Sequence, residues 1–146
     1  MGRRTASVDI AAPPHVVYSI YTDGARWSEW QPGAKNVVTS GPLGRVGSRL
    51  EASYGGPFKI KGEVLAVEPD RSHAMRLVEL AGLVTCVTTA RFEPRAEGTR
   101  LEMTFDYTAK LGFFDKMSGD EMVGAFAKDG ARLKAIAERE AGLSSR

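Results

Sequence analysis

The sequence predicts an α+β protein in which one antiparallel sheet of about seven strands packs against a long C-terminal helix. Residues 5–10 alternate between apolar and polar side chains, which indicates a strand with one buried face. Six more strand-like runs follow between residues 36 and 109, and turns rich in glycine and proline divide them. From about Phe114 to Glu140 the apolar period changes from two to about 3.6 residues, which predicts a helix. Short connections between the strands favour antiparallel pairing.

Two short helices are expected between the first strand and the rest of the sheet. Pro14 suits the first turn of a helix, so the apolar segment 15–21 is expected to be helical. Asp23 is a residue type that caps helix N-termini, and a second helix carrying Trp27 and Trp30 should follow it. Pro32 ends that helix, because the residue before a proline disfavours the helical conformation.

Alternation and helical spacing also predict which side chains face the core. The predicted strands after the two helices are Asn36–Ser40, Ser48–Tyr54, Phe58–Glu68, His73–Leu80, Leu83–Glu93 and Thr99–Ala109. In the last of them Leu101 to Tyr107 alternate cleanly, with every second residue apolar. The apolar stripe of the C-terminal helix comprises Met122, Ala125, Phe126, Leu133, Ile136 and Ala137.

Composition is that of one soluble globular domain, residues 1–146, ordered over about 5–140 with a frayed tail at 141–146. A chain of 146 residues with 42% hydrophobic content can bury a core without a disulfide. Its net charge of +2, carried by scattered basic residues, argues against nucleic acid as the main partner. No apolar run approaches the roughly 18 residues of a membrane span. The single cysteine, Cys86, fits a reducing compartment, so we expect a cytoplasmic protein.

The sequence gives little indication of a metal site or of a catalytic nucleophile. The two histidines, His15 and His73, lie far apart, and neither has a second ligand at metal-binding spacing, so we expect no metal and no cofactor. His15 is interpreted as a surface residue. Cys86 lies in the middle of a strand, where a small buried hydrophobic residue is the expected role.

The facing of the strand that begins at His73 stays open. If Met75 points inward, His73 does so too; if Val78 points inward, Arg76 is the polar residue on the inner face. Either group would then be able to contact a ligand.

Aromatic and methionine side chains fall largely on predicted inward positions. The candidate ligand contacts are Trp30, Tyr54, Phe58, Met75, Met103, Phe105, Tyr107, Phe113, Met117, Met122 and Phe126. Such a set either fills a solid core or lines an apolar cavity, and the residues by themselves favour the core. Gly130, near the sheet-facing stripe of the last helix, is a position that could leave room for a ligand.

Four segments of the chain form recognisable motifs. They are Ile-Ala-Ala-Pro-Pro-His-Val-Val-Tyr at 10–18, Asp23 to Pro32 with its two tryptophans, Glu68-Pro69, and Phe92-Glu93-Pro94 followed by Gly98-Thr99-Arg100-Leu101. Together they resemble the START/Bet v 1-like (SRPBCC) superfamily, and most closely its polyketide cyclase/dehydrase branch. The resemblance covers nearly the whole chain. It implies a helix-grip fold, in which a curved antiparallel sheet surrounds the C-terminal helix and leaves a deep apolar cavity between them.

The resemblance therefore favours a cavity over a solid core. We expect the protein to bind a small hydrophobic molecule, such as a lipid, a polyketide or a similar aromatic compound. The alternative is a polyketide aromatase/cyclase or dehydratase acting in the same cavity, with Tyr54, Tyr107, His73 and Arg76 as candidate acid–base groups. Whether the protein is an enzyme stays open. A third reading is an interaction module whose groove takes another protein or a second copy in a homodimer.

Overall fold

The computed structural model describes residues 2–53, 59–79, 82, 84–109 and 113–144. Its elements in chain order are β1 (Gly2–Ile10), α1 (Pro14–Tyr21), a 3-10 turn (Gly24–Arg26), α2 (Trp27–Trp30), β2 (Lys35–Thr39), β3 (Arg49–Ser53), β4 (Lys59–Glu68), β5 (Ser72–Glu79), β6 (Val84–Arg95), β7 (Gly98–Ala109) and α3 (Phe113–Ser144). The seven strands of this part of the chain form one sheet in the order β1-β7-β6-β5-β4-β3-β2. Every neighbouring pair is antiparallel. The predicted α+β helix-grip architecture is confirmed.

The ends of two elements differ from the expected positions. The first strand begins at Gly2 instead of Thr5, because it pairs with β7 over its full length and places Gly2 opposite Tyr107. The last helix continues to Ser144, past the point where we expected it to fray. Ala141 packs against the buried core, which explains why the helix extends beyond Glu140.

The predicted helix start and cap in the segment between β1 and β2 are confirmed. Pro14 occupies the first turn of α1, and the carbonyl of Pro13 accepts hydrogen bonds from the backbone N–H groups of Val16 and Val17. The carboxylate of Asp23 accepts a hydrogen bond from the backbone N–H of Ala25 at 3.1 Å. These local bonds fix the turn that carries the chain from α1 into α2.

Polar contacts hold the C-terminal half of α3 against the end of β1. The Lys134 ammonium donates to the backbone carbonyl of Asp9 at 2.9 Å and to the carboxylate of Glu138. The same carboxylate accepts from the backbone N–H of Ala11 at 2.9 Å. The Ala11 hydrogen bond, reinforced by Lys134, lowers the pKa of Glu138. These contacts also occupy backbone groups at the end of an edge strand, which would otherwise be free to pair.

Arg26 ties α2 to α3. Its guanidinium donates to both oxygens of Glu29, at 3.0 and 3.1 Å, and to Glu140 at 2.9 Å. A planar guanidinium that holds a carboxylate through two bonds fixes orientation as well as distance. The pKa of Arg26 is raised by the Glu29 and Glu140 hydrogen bonds. The helix pair and the long helix are thereby locked into one arrangement.

The buried stripe of α3 follows the predicted spacing with one correction. Phe126, Leu133, Ile136 and Ala137 are buried, as expected. Ala125, which the stripe included, is exposed. Its position, immediately before Phe126 on the helix, turns it about 100° away from the buried side, because successive residues of a helix are about that far apart.

Gly98 permits the close approach of the β6–β7 turn to the end of β1. Its φ of 146° lies in a region that residues with a side chain rarely adopt. A Cβ at this position would clash with the backbone carbonyl oxygen of Ile10 and would lie 2.8 Å from the backbone nitrogen of Ala12. The neighbouring Thr99 hydroxyl donates to the carbonyl of Ala12 at 2.7 Å. This turn therefore needs glycine.

We predict that Gly98→Ala lowers the free energy of unfolding by at least about 2 kcal/mol, through backbone strain and the clash with β1. Gly124→Ala is the matched control, because Gly124 is an exposed position of α3 with open space around its Cα. The control should raise stability by up to about 1 kcal/mol. Urea unfolding followed by circular dichroism measures both, and equal stabilities for the two variants would contradict the assignment.

Candidate functional site

Two rows of side chains cross the inner face of the sheet. Residues of β6 and β7, and of β5 as far as Arg76, alternate between deep burial and greater exposure, so every second side chain points to this face. Strand register places three of them side by side in each row. The first row is Tyr107, Cys86 and Leu77, and the second row is Phe105, Thr88 and Met75. The hydroxyls of Thr88 and Tyr107 and the thiol of Cys86 are the side-chain polar groups of these two rows, and the other three residues are apolar.

The inner face meets α3 at Phe126. The rings of Phe105 and Phe126 pack edge to face, with centroids 6.2 Å apart. A Cβ at Gly130 would lie 3.3 Å from the Phe126 ring and 3.6 Å from Val8. Phe126 and Val8 of β1 thus occupy the space beside Gly130, and the glycine allows α3 to approach β1 closely. This position therefore does not leave the room for a ligand that the sequence allowed.

The long helix lies over one side of the sheet. Among the described residues, α3 makes close backbone contact with β1, β7, α1 and α2, and none of comparable extent with β3, β4 or β5. Its position leaves the inner face of β3 to β5 beside the helix instead of directly beneath it. Strands β3 to β7 each have one terminus at the same end of the sheet. There Ser53 of β3 pairs with Lys59 of β4, and Val84 of β6 pairs with Glu79 of β5 and Ala109 of β7.

An aromatic cluster closes the deep end of this face. We use the term aromatic cluster for Tyr21, Trp30, His73 and Phe92. The ring of Tyr21 is central: its centroid lies 5.5 Å from each of the other three, stacked on Trp30 and edge-on to His73 and Phe92. The cluster brings together α1, α2, β5 and β6. Aromatic packing of this kind adds specific geometry to burial.

The structure resolves the open choice between His73 and Arg76. His73 is 1% exposed and points inward with Met75, and its Nε2 lies 2.7 Å from the backbone carbonyl oxygen of Leu43. A carbonyl only accepts, so Nε2 carries the proton and Nδ1 is left as an acceptor in the neutral ring. Arg76 points outward and pairs with Glu63 at 3.1 Å. Burial lowers the pKa of His73, and the Leu43 hydrogen bond opposes that effect in part.

Tyr107 and Cys86 share a row but offer different chemistry. The Tyr107 hydroxyl lies against Gly2, since a Cβ on that glycine would overlap it, and the Arg4 guanidinium lies 5.7 Å from the ring centre. Cys86 is buried, with its Sγ 3.6 Å from the Thr88 hydroxyl oxygen. Burial raises the pKa of the Cys86 thiol to about 11, so the thiolate that a nucleophile requires is scarce at neutral pH. The interpretation of Cys86 as a small buried residue is confirmed.

Six of the predicted ligand contacts are buried in the described structure: Trp30, Met75, Met103, Phe105, Tyr107 and Phe126. Their contact with a ligand stays a prediction. Tyr54 and Phe58 lie outside the described residues. Phe113, Met117 and Met122 belong to α3, but their side chains lie outside the described part of the chain.

Several residues of the site were not among the predicted contacts: Tyr21, Leu77, Cys86, Thr88 and Phe92. Thr88 shares its face with Cys86 and Ala90, so the alternation of β6 could have identified it. Tyr21 lies one helical turn after Val17, which is also buried, and this spacing is the only signal in its favour. Its central position depends on Trp30, His73 and Phe92, which no local pattern brings together.

A separate cleft of about 500 Å³ opens on the outside of the molecule. It lies between the end of α1, the 3-10 turn, Thr39 and residues 41–43. Leu43, which is 1% exposed, separates it from His73. The cleft is open to solvent, and its lining mixes polar residues such as Ser19, Thr22 and Asp23 with apolar ones such as Pro42 and Leu43, so it lacks the enclosed apolar surface that holds a hydrophobic molecule.

Within the described ranges, no three His, Cys, Asp or Glu side chains come together as a metal site. In the same ranges no helix has the length and apolar character needed to cross a membrane.

We predict that the free energy of unfolding decreases as the pH falls below 6.5, the ordinary pKa of histidine. The unfolded chain takes up a proton at His73 there, whereas the folded protein resists it, so acid favours unfolding. His73→Gln keeps an N–H for the Leu43 carbonyl and removes the titration. The free energy of unfolding of His73→Gln should therefore change less than that of the wild type between about pH 7.5 and about pH 5.5. Both values lie above the ordinary pKa of carboxylates, so Asp and Glu contribute little to the comparison.

Urea unfolding at each pH measures this effect. His15→Gln is the control, because His15 is exposed on α1. An unchanged pH dependence in His73→Gln would show that His73 is not the responsible group.

Solved structures with this fold include proteins of biosynthetic pathways. The di-domain ARO/CYC StfQ from the steffimycin biosynthetic pathway is similar with a TM-score of 0.82 at 15% identity, over 96% of this chain and 51% of that one. DynU16, a protein of the dynemicin biosynthetic locus, matches with a TM-score of 0.71 at 20% identity, over 91% and 46%. This chain thus spans about half the length of these two. Protein CV1439 from Chromobacterium violaceum matches over 94% and 99%, at 16% identity and a TM-score of 0.75. At such identities the likeness establishes the fold alone.

No curated protein matches the chain. A family model described as polyketide cyclase/dehydrase and lipid transport matches residues 1–138. The match covers the sheet, the helix pair and most of α3, and it agrees with the motifs at residues 10–18 and 23–32. The chain therefore belongs to the polyketide cyclase/dehydrase and lipid transport family, the branch of the SRPBCC superfamily that its sequence resembles.

Proposed function

We propose that the protein binds a small hydrophobic molecule, such as a lipid, a polyketide or a similar aromatic compound, between the sheet and α3. The observation that carries the proposal is the apolar inner face of β5 to β7, which lies partly beside the long helix instead of wholly beneath it. The family description, which names both polyketide cyclases and lipid transport, supports the same class of ligand.

The chemistry of the two rows favours an uncharged ligand. Thr88 supplies a hydroxyl, and Cys86 is a neutral thiol because burial raises its pKa to about 11. A charged group on the ligand would find no opposite charge in these rows and would lose its hydration. A ring system that buries about 200 Å² gains roughly 5 kcal/mol at about 25 cal/mol per Å², before the entropic cost of binding.

The proposed contacts are the predicted set. Met75, Met103 and Phe105 would form the sheet-side wall, and Phe126 would form the helix-side wall. Trp30 and Tyr107 would contribute ring surface at the two ends, with Tyr54, Phe58, Phe113, Met117 and Met122 completing the set. We also propose that the protein acts in the cytoplasm, as the single Cys86 suggests. Light scattering would establish whether it works as a monomer or a homodimer.

We predict that cholesterol or 2-naphthol raises the melting temperature of the protein, since a ligand that binds only the folded state stabilises it. Oleate should raise it less, because its carboxylate finds no opposite charge in the two rows. Native mass spectrometry of the freshly purified protein should also reveal an apolar molecule that copurifies. If none of the three probes shifts the melting temperature and the purified protein is free of bound molecules, the binding proposal is wrong.

Phe126→Leu should weaken binding of 2-naphthol by about three- to tenfold, because an aromatic pair contributes roughly 0.5–1.5 kcal/mol beyond its buried area. Leucine keeps the position apolar, so the fold should survive. Val46→Ala is the control, since Val46 is 58% exposed in the loop before β3. A fluorescence titration measures both affinities, and equal loss in the two variants would place the ligand elsewhere.

An aromatase/cyclase or dehydratase in the same site is the second candidate, favoured by the family and by the likeness to StfQ. Two acid–base candidates, Tyr107 and His73, lie on the inner face, whereas Arg76 points outward and Tyr54 lies outside the described residues. Incubation with a reactive poly-β-keto surrogate tests this candidate. Catalysis requires that the wild type alter the product ratio and that Tyr107→Phe or His73→Gln diminish the change.

A further inference from the structure

Two buried polar atoms of the aromatic cluster have no hydrogen-bond partner among the described residues. They are Nε1 of Trp30 and Nδ1 of His73, whose residues are 4% and 1% exposed. The neighbouring Trp27 differs, because its Nε1 donates to the backbone carbonyl of Tyr21 at 3.0 Å. Buried polar atoms nearly always have a hydrogen-bond partner, so two unpaired atoms in one cluster need an explanation. A third such atom, on Glu140, belongs to a carboxylate already bound by Arg26.

The two atoms are complementary in chemistry. The indole N–H of Trp30 can only donate. In His73 the Nε2–H donates to the Leu43 carbonyl, so Nδ1 can only accept in the neutral ring. At position 30, an apolar core would be better served by phenylalanine, since that would remove the unpaired indole N–H without loss of ring packing.

Both atoms belong to rings that contact the ring of Tyr21. Trp30 stacks on Tyr21 with an angle of 24° between the rings, and His73 meets it edge-on at 75°, each with centroids 5.5 Å apart. His73 lies opposite Ala90, and Ala90 lies opposite Met103, so these three form the next row after Phe105, Thr88 and Met75. The polar atoms therefore lie at the deep end of the inner face, beyond the apolar rows.

Charge argues against a carboxylate as the ligand group received there. The guanidinium groups of Arg76, on the same strand as His73, and of Arg91, on the neighbouring strand β6, lie on the exposed outer face. A carboxylate at the deep end would meet a lone-pair acceptor and a single neutral donor, which do not offset the loss of its hydration. A neutral hydroxyl can donate to Nδ1, and a neutral oxygen can accept from the indole N–H.

We propose that Trp30 Nε1 and His73 Nδ1 form a polar subsite that receives the oxygen substituents of an uncharged aromatic or enolised polyketide ligand. A phenolic or enolic hydroxyl donates to Nδ1 of His73, and an oxygen of the same ligand accepts from Nε1 of Trp30. The subsite selects hydroxylated rings over plain hydrocarbons and fatty acids. This inference rests on the proposed function, because it assigns the ligand's polar end within the same site.

The test compares two probes of nearly equal size, 2-naphthol and 2-methylnaphthalene, which differ by a hydroxyl in place of a methyl group. The measured quantity is the ratio of the dissociation constant of 2-methylnaphthalene to that of 2-naphthol. In the wild type this ratio should be at least about fivefold higher than in His73→Gln or Trp30→Phe. The reason is that the net contribution of one hydrogen bond changes a dissociation constant by about that factor. His73→Gln retains the donor to Leu43, and Trp30→Phe retains an aromatic ring.

Trp27→Phe is the matched control, because it removes an indole N–H that already has a partner. It should leave the ratio at the wild-type value. A second measurement uses the wild type alone and so does not depend on the folding of any variant. In a ¹⁵N–¹H NMR titration, the indole N–H proton signal of Trp30 should move to lower field with 2-naphthol, as a new hydrogen bond requires, and should show no such downfield change with 2-methylnaphthalene.

The outcomes separate this inference from the function on which it rests. A ratio that falls in both cluster variants, together with the Trp30 indole shift, supports the subsite. If both probes bind but the ratio is the same in all variants, the subsite is wrong and hydrophobic binding stands. If oleate binds and 2-naphthol does not, the ligand class is wrong. If neither the naphthalene probes nor oleate bind, the proposed function fails as well.

Discussion

The position of α3 along the β1 side of the sheet is the constraint on which the rest of the structure depends. Lys134 and Glu138 bind backbone groups of Asp9 and Ala11, and Gly130 lets the helix approach Val8. Arg26 adds a bridge from the helix pair through Glu140. Because these contacts hold the helix at one side, the inner face of β3 to β5 lies beside it. A helix centred over the sheet would cover that face with its own side chains.

The inner face combines apolar walls with a polar deep end. In the proposed site, Phe105, Met75 and Phe126 would provide surface that favours any hydrophobic molecule, and this surface alone would select little among them. Trp30 and His73 would supply the directional hydrogen-bonding groups, which favour a ligand with oxygen atoms in matching positions. Affinity and selectivity would therefore arise from different parts of the same site.

The sequence predicts the fold well because its signals are local. Strand alternation and turn residues define each strand to within about three residues, and Pro14 and Asp23 mark the helix starts. The facing of β5 was not predictable, because both faces carry apolar residues and β4 changes register between Val64 and Ala66. The aromatic cluster was also beyond sequence reasoning. Its unpaired atoms depend on contacts that Tyr21 and Leu43 make with residues at least 9 and 30 positions away.

Intermolecular nuclear Overhauser effects from a bound ligand to methionine methyl groups test the central claim most directly. With protein labelled at the methionine and threonine methyls, bound 2-naphthol should show contacts to Met75 and Met103, which lie on the inner face of β5 and β7. The signals are strictly short-range, so their assignment locates the ligand. Contacts confined to Thr39 and its neighbours in the outer cleft, with none to the two methionines, would contradict binding between the sheet and α3.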